Sequence, residues 1–432
     1  MSAAGLRIAP AGGLTGELAV PGDKSISHRA VLLGAISSGP VQVRGFGASA
    51  DTLSTVAAVE ALGVEVEQAG EDELVVHGAG LRGLDAPHGP IDVGNAGTLI
   101  RLLPGILAGQ RGSFELTGDE SIRSRPMERI AEPLRQMGVE VETTDGRPPV
   151  RVRATGHTRA VSYELPVASA QVKSCVLLAG LFAERGVTEV REPLPTRDHT
   201  ERLLRAAGVP VDRSPGRVAV SPAGELHLDE VDVPGDFSSA APFIVAATAL
   251  SGSNLTLRGV GVNPTRTGLL TVMERMGARV GVFRRRLQSG EPVADVEVRP
   301  AELVAADVEP ELVPLLVDEL PLVALLACFA HGVTTIRGAG ELRVKESDRI
   351  AATAAALNGV GGHVEPLEDG FRIRGVPTRL RGGRVDAAGD HRVAMLGAVA
   401  GVCSQEGVEV SGASVLGVSF PDFADRLAAV SA

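Results

Sequence analysis

The sequence predicts an α/β protein made of two globular halves, each with three copies of one repeated unit. First, six apolar segments of helix length each begin with a polar or charged cluster, about 70 to 80 residues apart. Second, each of these segments is followed by a glycine or serine and then by an alternating segment with β-branched residues. Regular spacing of this length is typical of a repeated supersecondary unit.

The beginnings of the six predicted helices suggest an anion site. They lie at residues 24–29, 95–98, 169–173, 236–239, 318–319 and 390–392. Helix N-termini carry unpaired N–H groups and a partial positive charge, so they favour anions. Six of them pointing one way would bind a strongly anionic substrate.

The segments after these helices complete the unit. Period-two alternation predicts half-buried strands at residues 41–44, 113–116, 187–190, 254–257, 333–336 and 408–411. Amphipathic helices follow, for example at 51–62, 129–137, 199–207, 269–276 and 347–357. Short strand pairs come next, such as 64–66 with 74–76. We therefore expect six βαβαββ-type units, three per domain.

The sixth predicted unit lacks its strand pair, because the chain ends after a helix at 423–430. Predicted strands at 6–8 and 16–20 supply the missing pair. We therefore expect residues 1–20 plus 236–432 to form one domain and residues 21–235 the other. The two crossings fall in the repeated Val-Pro-Gly segments, which suit a hinge. Accidental periodicity in a Gly-rich chain is the alternative, and six ordered copies argue against it.

Composition narrows the class of protein. The chain has 432 residues with 3% aromatics and a net charge of −11, which argues against a nucleic-acid partner. The three cysteines lack metal-type spacing and are expected to be small core residues in a reducing compartment. Neither a signal peptide nor an 18-residue apolar run is evident. We expect a cytoplasmic protein with no membrane partner.

The candidate ligand residues of the first half have ordinary alternatives. Lys24, Ser25 and Arg29 suit a phosphate or carboxylate, or else belong to a capped helix with solvated charges. Gly97 lies in a small-residue loop that could admit an anion, or the loop is an ordinary helix N-cap. Arg125, near Pro126 at a helix start, is a candidate ligand or a solvated charge.

Four more residues of the first half complete the set. Ser169 is sufficiently explained as an N-cap, whereas Gln171 and Lys173 exceed what capping needs. Arg197 could bind a phosphate or form a salt bridge with Asp198 or Glu201.

The second half adds carboxylates to the cations. Lys345, Glu346 and Arg349 are predicted to share a helical face, where ionic pairs are the alternative to ligand binding. Asp318 precedes a buried helix. At the last helix beginning, Asp390 is sufficient as the N-cap, so Arg392 is a charge beyond what capping needs. The sequence shows no metal-type cluster, no Gly-Xaa-Ser-Xaa-Gly motif and no Gly-Lys-Ser/Thr nucleotide loop.

Ten ordered motifs resemble the 5-enolpyruvylshikimate-3-phosphate synthase family. They are PGDKSISHR, GNAGT-x-x-R, SRPMERI, ASAQVKS, TRDHTERLL, VPGDFSSA, DELP, LRVKESDRI, GDHRVAM and SFPDF. The resemblance implies a two-domain inside-out α/β barrel (EPT/RTPC-like). It also implies transfer of a carboxyvinyl group from phosphoenolpyruvate to the 5-hydroxyl of shikimate 3-phosphate, in the shikimate pathway. No cofactor or metal is expected, and we expect a monomer that glyphosate inhibits at the phosphoenolpyruvate pocket.

The resemblance also implies roles for individual residues. It implies shikimate-3-phosphate binding by Lys24, Ser25, Arg29, Ser169, Ala170, Gln171, Arg197, Asp318 and Lys345. It implies phosphoenolpyruvate binding by Lys24, Gly97, Arg125, Gln171, Arg349 and Arg392. The implied catalytic residues are Asp318, Glu346 and Lys24.

Departures from the family pattern and rival functions remain. Ala170, Glu341 and Val418 replace a common Ser, Asn and Lys, which resembles the second class of the family. One rival is UDP-N-acetylglucosamine 1-carboxyvinyltransferase, which is disfavoured because residues 120–126 contain no Cys. The other is a non-catalytic two-lobed anion-binding protein, which would not need Asp318 and Glu346 beside its cations.

Overall fold

The computed structural model describes residues 5–432 as alternating helices and strands. The helices are α1 Lys24–Ala35, α2 Ala50–Ala61, α3 Leu99–Leu107, α4 Glu120–Arg123, α5 Glu128–Gln136, α6 Ala170–Gly180, α7 His199–Ala206, α8 Phe237–Ala249, α9 Gly268–Arg275, α10 Leu320–Cys328, α11 Arg349–Gly359, α12 His391–Val402 and α13 Phe423–Val430. Short 3₁₀ helices lie at Val313–Leu315, Gly340–Val344 and Ala413–Val418.

The strands are short, and each predicted alternating segment lies in one of them, except that β11 begins one residue after the start of the predicted segment 187–190. They are β1 Leu6–Ile8, β2 Thr15–Ala19, β3 Pro40–Arg44, β4 Glu65–Gln68, β5 Glu73–His77, β6 Ile91–Asp92, β7 Arg111–Thr117, β8 Glu140–Thr144, β9 Arg147–Thr155, β10 Ser162–Glu164, β11 Thr188–Arg191, β12 Val211–Ser214, β13 Arg217–Val220, β14 Glu230–Asp232, β15 Asn254–Gly261, β16 Arg279–Gln288, β17 Glu291–Arg299, β18 Gly332–Ile336, β19 Val364–Leu367, β20 Gly370–Gly375, β21 Gly383–Asp386 and β22 Val408–Ser411.

Within residues 5–432 the strands form six small sheets that repeat one plan. Two of them have the orders β6-β7-β9-β8 and β10-β11-β13-β12. In each, the first two strands are parallel and are separated along the chain by a buried helix, while the last two form an antiparallel hairpin. A strand precedes each buried helix except α10, before which Val308 forms only an isolated parallel bridge with Ile336 of β18. The predicted repeat is confirmed.

Two units obtain their first strand from a distant part of the chain. β14 pairs with β3 in parallel, with Val231 opposite Val43. β2 pairs in parallel with β15, with Leu18 opposite Leu257. The prediction that both N-terminal strands complete the sixth unit is therefore wrong for β2, although β1 does join β22. Alternation along a strand identifies its buried face but not its partner, so the sequence pattern could not distinguish the two sheets.

The chain divides into two compact units. We call Gly22–Pro234 with Leu287–Glu291 the N-terminal unit. The rest, 5–21, Gly235–Arg286 and Pro292–Ala432, is the C-terminal unit. The boundaries at 21/22 and 234/235 fall within the two Val-Pro-Gly segments. The short segment Leu287–Glu291, at the tip of the β16–β17 hairpin, groups with the N-terminal unit, and no feature of the sequence indicated this.

Each unit has its buried helices inside and its sheets outside. Every residue of α3 and of α10 is buried, and α8 is buried from Phe237 to Thr248. Strands such as β9 instead alternate between buried and exposed residues. Each unit has its own aliphatic core. This arrangement confirms the predicted inside-out α/β barrel, and it leaves the N-termini of the buried helices as the places where polar side chains gather.

Three further findings concern residues 5–432. No helix there is both long and apolar enough to cross a membrane. No group of three or more His, Cys, Asp and Glu side chains there is arranged to hold a metal ion. Cys175, Cys328 and Cys403 are buried free thiols, and burial raises the pKa of each to about 12.

Candidate active site

The first helix of the N-terminal unit places a lysine and an arginine in different surroundings. Asp23 caps α1 by accepting from the Ile26 N–H at 2.9 Å, so the charges that follow are not needed for capping. The Nζ of Lys24 lies 2.8 Å from Oδ2 of the buried Asp51, and its side chain is 22% exposed. Asp51 thus holds a partly exposed ammonium group at the helix beginning.

Arg29 lies one turn further along α1 and is 4% exposed. Its Nε donates to Oγ1 of Thr200 at 2.7 Å, its Nη2 to Oγ of Ser174 at 3.0 Å and its Nη1 to the Ser25 carbonyl at 2.8 Å. Burial lowers the pKa of Arg29 to about 10, against the opposing effect of the Glu201 carboxylate. Its hydrogen-bond partners are mostly neutral oxygens, an arrangement that suits a guanidinium that also binds an anion.

The loop before α3 lacks the side-chain cap that the alternative interpretation requires. Thr98, the N-cap residue of α3, makes no capping hydrogen bond with its side chain, and its Oγ1 accepts from Nε2 of Gln171 at 3.2 Å. Oε1 of the same Gln171 accepts from Nη1 of Arg101 at 2.8 Å, and that nitrogen also donates to the Gly97 carbonyl at 3.1 Å. The predicted Gly97 and Gln171 therefore lie together at this helix beginning, joined by Arg101.

Arg125 lies against the same loop. Its Nη2 donates to Oδ1 of Asn95 at 3.2 Å and to Oγ of Ser121 at 3.3 Å, and the residue is 7% exposed. A methyl group on Gly97 would lie 2.6 Å from Nη1 of Arg125 and 3.3 Å from Nη1 of Arg101. The lack of a side chain at Gly97 thus lets two guanidinium groups approach the loop closely, which makes the loop cationic.

The beginning of α6 and the loop before α7 contain the remaining candidates of this unit. Ser169 caps α6, accepting from the Val172 N–H at 3.4 Å, and Ala170 is the first helical residue. Arg197 is half-buried, and its positive charge adds to the lowering of the pKa of Arg29 by burial, so the two cations lie near each other.

The carboxylates named as alternative partners of Arg197 have other partners too. Asp198 accepts from Nε of Arg202 at 2.8 Å, and Glu201 lies 2.8 Å from Nζ of Lys173.

A buried arginine organises the C-terminal unit. Arg349 is 2% exposed, and its Nε and Nη2 donate to the two oxygens of Asp390, at 2.7 and 3.3 Å. Its Nη1 lies 3.4 Å from Oδ1 of Asp318, and its Nη2 also donates to Glu346. Burial by itself lowers the pKa of Arg349, but the carboxylates of Glu346, Asp390 and Asp318 outweigh this effect and raise the pKa above its usual value. The two predicted acid/base carboxylates therefore share one cation.

Arg392 reaches the same carboxylates from the beginning of α12. Its guanidinium lies 4.0 Å from Oδ2 of Asp318 and 3.9 Å from Oε1 of the buried Glu319. Its Nε is buried without a hydrogen-bond partner among residues 5–432. Asp390 caps α12 by accepting from the Arg392 N–H at 2.9 Å, so one carboxylate serves both the helix and Arg349.

The interpretation of residues 345–349 as one helical face is wrong. Helix α11 begins at Arg349, and Asp348 caps it by accepting from Ile350 and Ala351. Lys345 and Glu346 lie in the bend that precedes this cap, since an N-cap residue has non-helical dihedral angles. Nζ of Lys345 lies 3.1 Å from Oε1 of Glu341, one of the three residues that depart from the family pattern.

Comparison with known proteins identifies the family of this chain. The family model for EPSP synthase (3-phosphoshikimate 1-carboxyvinyltransferase) matches residues 8–427. The chain belongs to the EPSP synthase family. A relative called 3-phosphoshikimate 1-carboxyvinyltransferase from Acidithiobacillus ferrooxidans is 50% identical over 416 residues, covering 96% of this chain and 95% of the relative.

Solved structures agree with the fold of the EPSP synthase family. The EPSP synthase of Acinetobacter baumannii superposes with a TM-score of 0.88 at 41% identity, covering 98% of this chain and 97% of that chain. The enolpyruvyl transferase NikO from Streptomyces tendae has a TM-score of 0.78 at 19% identity, covering 98% and 96%. At that identity the second match shows the fold alone.

Several polar residues at these helix beginnings were not predicted. The sequence placed Asp51 only in a helix and Asp390 only at a helix cap. In the structure Asp51 forms an ion pair with Lys24, and Asp390 forms one with Arg349, and both cations are predicted ligands. Arg266, 3% exposed, binds the α8 cap Asp236 and donates to Oγ of Ser238 at 3.0 Å. Charged residues inside an otherwise apolar helix beginning were the available signal for Asp51 and Asp390, whereas Arg266 lies in a loop with none.

Proposed function

We propose that this chain transfers the carboxyvinyl group of phosphoenolpyruvate to the 5-hydroxyl of shikimate 3-phosphate, releasing phosphate. The observation that carries the proposal is the pair Asp318 and Glu346, which share the buried Arg349 at helix beginnings in a chain of the EPSP synthase family. A binding protein for anions needs cations but does not need two partly exposed carboxylates beside them.

The proposed shikimate-3-phosphate ligands in the N-terminal unit are polar groups around Arg29. Ser25 and Arg29 share one face of α1, and Arg197 lies near enough for its charge to lower the pKa of Arg29. The remaining proposed ligands of this unit, Ser169, Ala170 and Gln171, form the beginning of α6. Two neighbouring guanidinium groups and hydroxyls suit a phosphate ester, because charge-assisted hydrogen bonds to phosphate are strong. In the C-terminal unit, Asp318 and Lys345 supply the proposed contacts to the same substrate.

The proposed phosphoenolpyruvate ligands are the other cations. In the N-terminal unit they are Lys24, Arg125 and Gln171 beside the Gly97 loop, where small residues expose backbone N–H groups. In the C-terminal unit they are Arg349 and Arg392. Val418 places no charge at the end of its 3₁₀ helix, so we do not assign it a role in binding.

The reaction requires a proton to be added and then removed. The 5-hydroxyl oxygen attacks C2 of phosphoenolpyruvate and loses its proton, while the C3 methylene gains one, which yields a tetrahedral adduct. C3 then loses a proton as the C2–O bond to phosphate breaks. We assign these transfers to Asp318 and Glu346, with Lys24 stabilising charge at the reacting centre. Arg349 holds both carboxylates in place.

Phosphate release tests the proposal. The purified chain is assayed with phosphoenolpyruvate and either shikimate 3-phosphate or UDP-N-acetylglucosamine as the acceptor. Release with shikimate 3-phosphate alone is expected. Release only with the sugar nucleotide would favour the rival transferase, and release with neither would favour a binding protein.

The remaining expectations are proposals of narrower scope. We propose that the chain acts as a monomer in the cytoplasm, since three buried free thiols suit a reducing compartment. Size-exclusion chromatography with light scattering tests the monomer, and cell fractionation tests the location.

A further inference from the structure

Lys173 is a fully buried cation outside the proposed ligand set. It lies in α6 with a side-chain exposure of 0%, and its Nζ is 2.8 Å from Oε1 of Glu201 and 3.1 Å from Oε2 of Glu192. Both carboxylates are also buried. Removing one member of such a group would leave a buried charge uncompensated, which is costly. The group therefore ties α6 to α7 and to the loop that follows β11.

The loop after β11 is attached to this ion group through Thr196. The Thr196 carbonyl accepts from Nζ of Lys173 at 3.3 Å. The Thr196 N–H and Oγ1 donate to Oε2 of Glu192 at 3.2 and 2.7 Å. Thr196, 3% exposed, is held in this way on its backbone and on its side chain. The next residue in the chain is Arg197.

The residue on the other side of Arg197 is also held. Asp198 is 1% exposed and accepts from Nε of Arg202 at 2.8 Å, and it also accepts from Nη1 of Arg213. Arg197 therefore lies between two anchored residues. These anchors restrict the position of its backbone, and Arg197 itself is half-buried.

The neighbours of the ion group in the chain hold Arg29. Ser174 follows Lys173 and Thr200 precedes Glu201, and their hydroxyl oxygens lie 2.7 Å apart. Both accept hydrogen bonds from the Arg29 guanidinium. Side chains of α6 and α7 therefore hold Arg29, and Lys173 of α6 also anchors the loop that carries Arg197. Arg29 and Arg197 repel each other, so holding them close together requires anchoring of this kind.

We propose that Lys173 is a positioning residue that holds Arg197 beside Arg29, so that the two cations are ready to bind the phosphate of shikimate 3-phosphate. The inference rests on the proposed function, because it assumes that this phosphate is the ligand. Pre-organised cations lose less freedom on binding, so the affinity for that substrate is higher.

The test uses a variant that removes both charges of the closest ion pair, so that the net charge of the buried group is unchanged. Lys173→Met with Glu201→Gln removes the closest ion pair and leaves Glu192 bonded to Thr196. We expect the KM for shikimate 3-phosphate to rise roughly tenfold, the size of a lost charge-assisted hydrogen bond. The KM for phosphoenolpyruvate should change less than about twofold, because its proposed ligands lie elsewhere. Circular dichroism and thermal melting check that the variant is folded.

A double-mutant cycle with Arg197→Met separates positioning from general damage. If Lys173 acts through Arg197, the Lys173→Met/Glu201→Gln pair should not raise the KM for shikimate 3-phosphate further in the Arg197→Met background. Additive effects, an equal rise of both KM values, or a normal KM in either the ion-pair variant or Arg197→Met would overturn the inference.

Two additional measurements keep the outcome decisive. If the ion-pair variant does not fold, Thr196→Val removes only the hydroxyl that joins Glu192 to the loop, and an unchanged KM for shikimate 3-phosphate then overturns the inference. The wild-type chain is assayed first for phosphate release. Failure of that assay refutes the proposed function, whereas failure of the variants alone refutes the role of Lys173.

Discussion

Individual carboxylates and cations at these helix beginnings have more than one partner. Asp390 caps α12 and binds both Arg349 and Ser347. Asp318 lies near both Arg349 and Arg392. Because each group has several partners, removal of one side chain leaves the others in place, and effects on chemistry can be separated from effects on structure.

Asp318→Asn should lower turnover by roughly 10²-fold or more, because the amide cannot accept the proton that the reaction must move. Arg349 keeps Asp390 and Glu346 as partners, so the site should persist and shikimate 3-phosphate should still bind. Steady-state kinetics and calorimetry measure the two quantities. Asp425→Asn, at an exposed position of α13, is the matched control. Near-normal turnover of Asp318→Asn would refute the assignment.

Gly97→Ala should raise the KM for phosphoenolpyruvate roughly tenfold, because the added methyl must displace the Arg125 guanidinium. The resemblance led us to expect that the methyl hinders glyphosate more than the substrate. The KM for phosphoenolpyruvate and the inhibition constant of glyphosate are therefore both measured, and we expect the inhibition constant to rise by the larger factor. Gly224→Ala is the control, since a methyl there meets no atom within 4 Å. Equal rises for substrate and inhibitor would show that the methyl does not discriminate.

The secondary-structure elements place these residues through their N-termini. In α2, a capping box joins Ser49 and Thr52, and the Ser49 N–H donates to Oγ1 of Thr52 at 2.9 Å. This helix also positions Asp51, the partner of Lys24. The stability of the first turn of α2 therefore affects the position of a proposed ligand.

Ser49→Ala should lower the free energy of unfolding by about 1 kcal/mol, the usual cost of losing an N-cap hydroxyl. Urea denaturation measures this change. Ser54→Ala, in the same helix, removes an exposed hydroxyl that bonds only to the Ala50 carbonyl, and it should change stability by less than about 0.5 kcal/mol. If the two variants were equally stable, the capping box would contribute nothing.

At the scale of the whole molecule, we expect a buried histidine to make the free energy of unfolding depend on pH. His28 is 0% exposed, and its Nδ1 lies 2.6 Å from Oγ1 of Thr55. Burial first, and then the charges of Lys24 and Arg29, lower the pKa of His28 well below 6.5. The folded chain therefore keeps this imidazole neutral at a pH where the unfolded chain protonates it.

The sign of the pH dependence follows. Below pH 6.5 the unfolded state binds more protons at His28, so the free energy of unfolding falls as the pH falls. The loss should reach about 1.4 kcal/mol one pH unit below the unfolded pKa. Urea denaturation of the wild type and of His28→Gln at pH 7.5 and 5.5 measures it, and titrations common to both proteins cancel in the difference. An identical pH dependence of the two would contradict the prediction.

The sequence by itself determined the repeat and the helix beginnings. Period-two alternation and capping residues are local signals, so the strands at 41–44 or 408–411 and the caps Ser169 and Asp390 could be recognised without a structure. The family motifs assigned proposed roles to residues in both units. These assignments stay predictions until the variants above are measured.

Only the tertiary structure decided which residues meet. The pairing of β2 with β15 joins segments more than 230 residues apart, and no local pattern distinguishes that partner from β22. The same reason applies to Lys173, whose buried partners Glu192 and Glu201 belong to other elements. The bend at 345–348 likewise depends on where α11 begins. Partner choice depends on distances in the folded chain, and sequence spacing does not contain them.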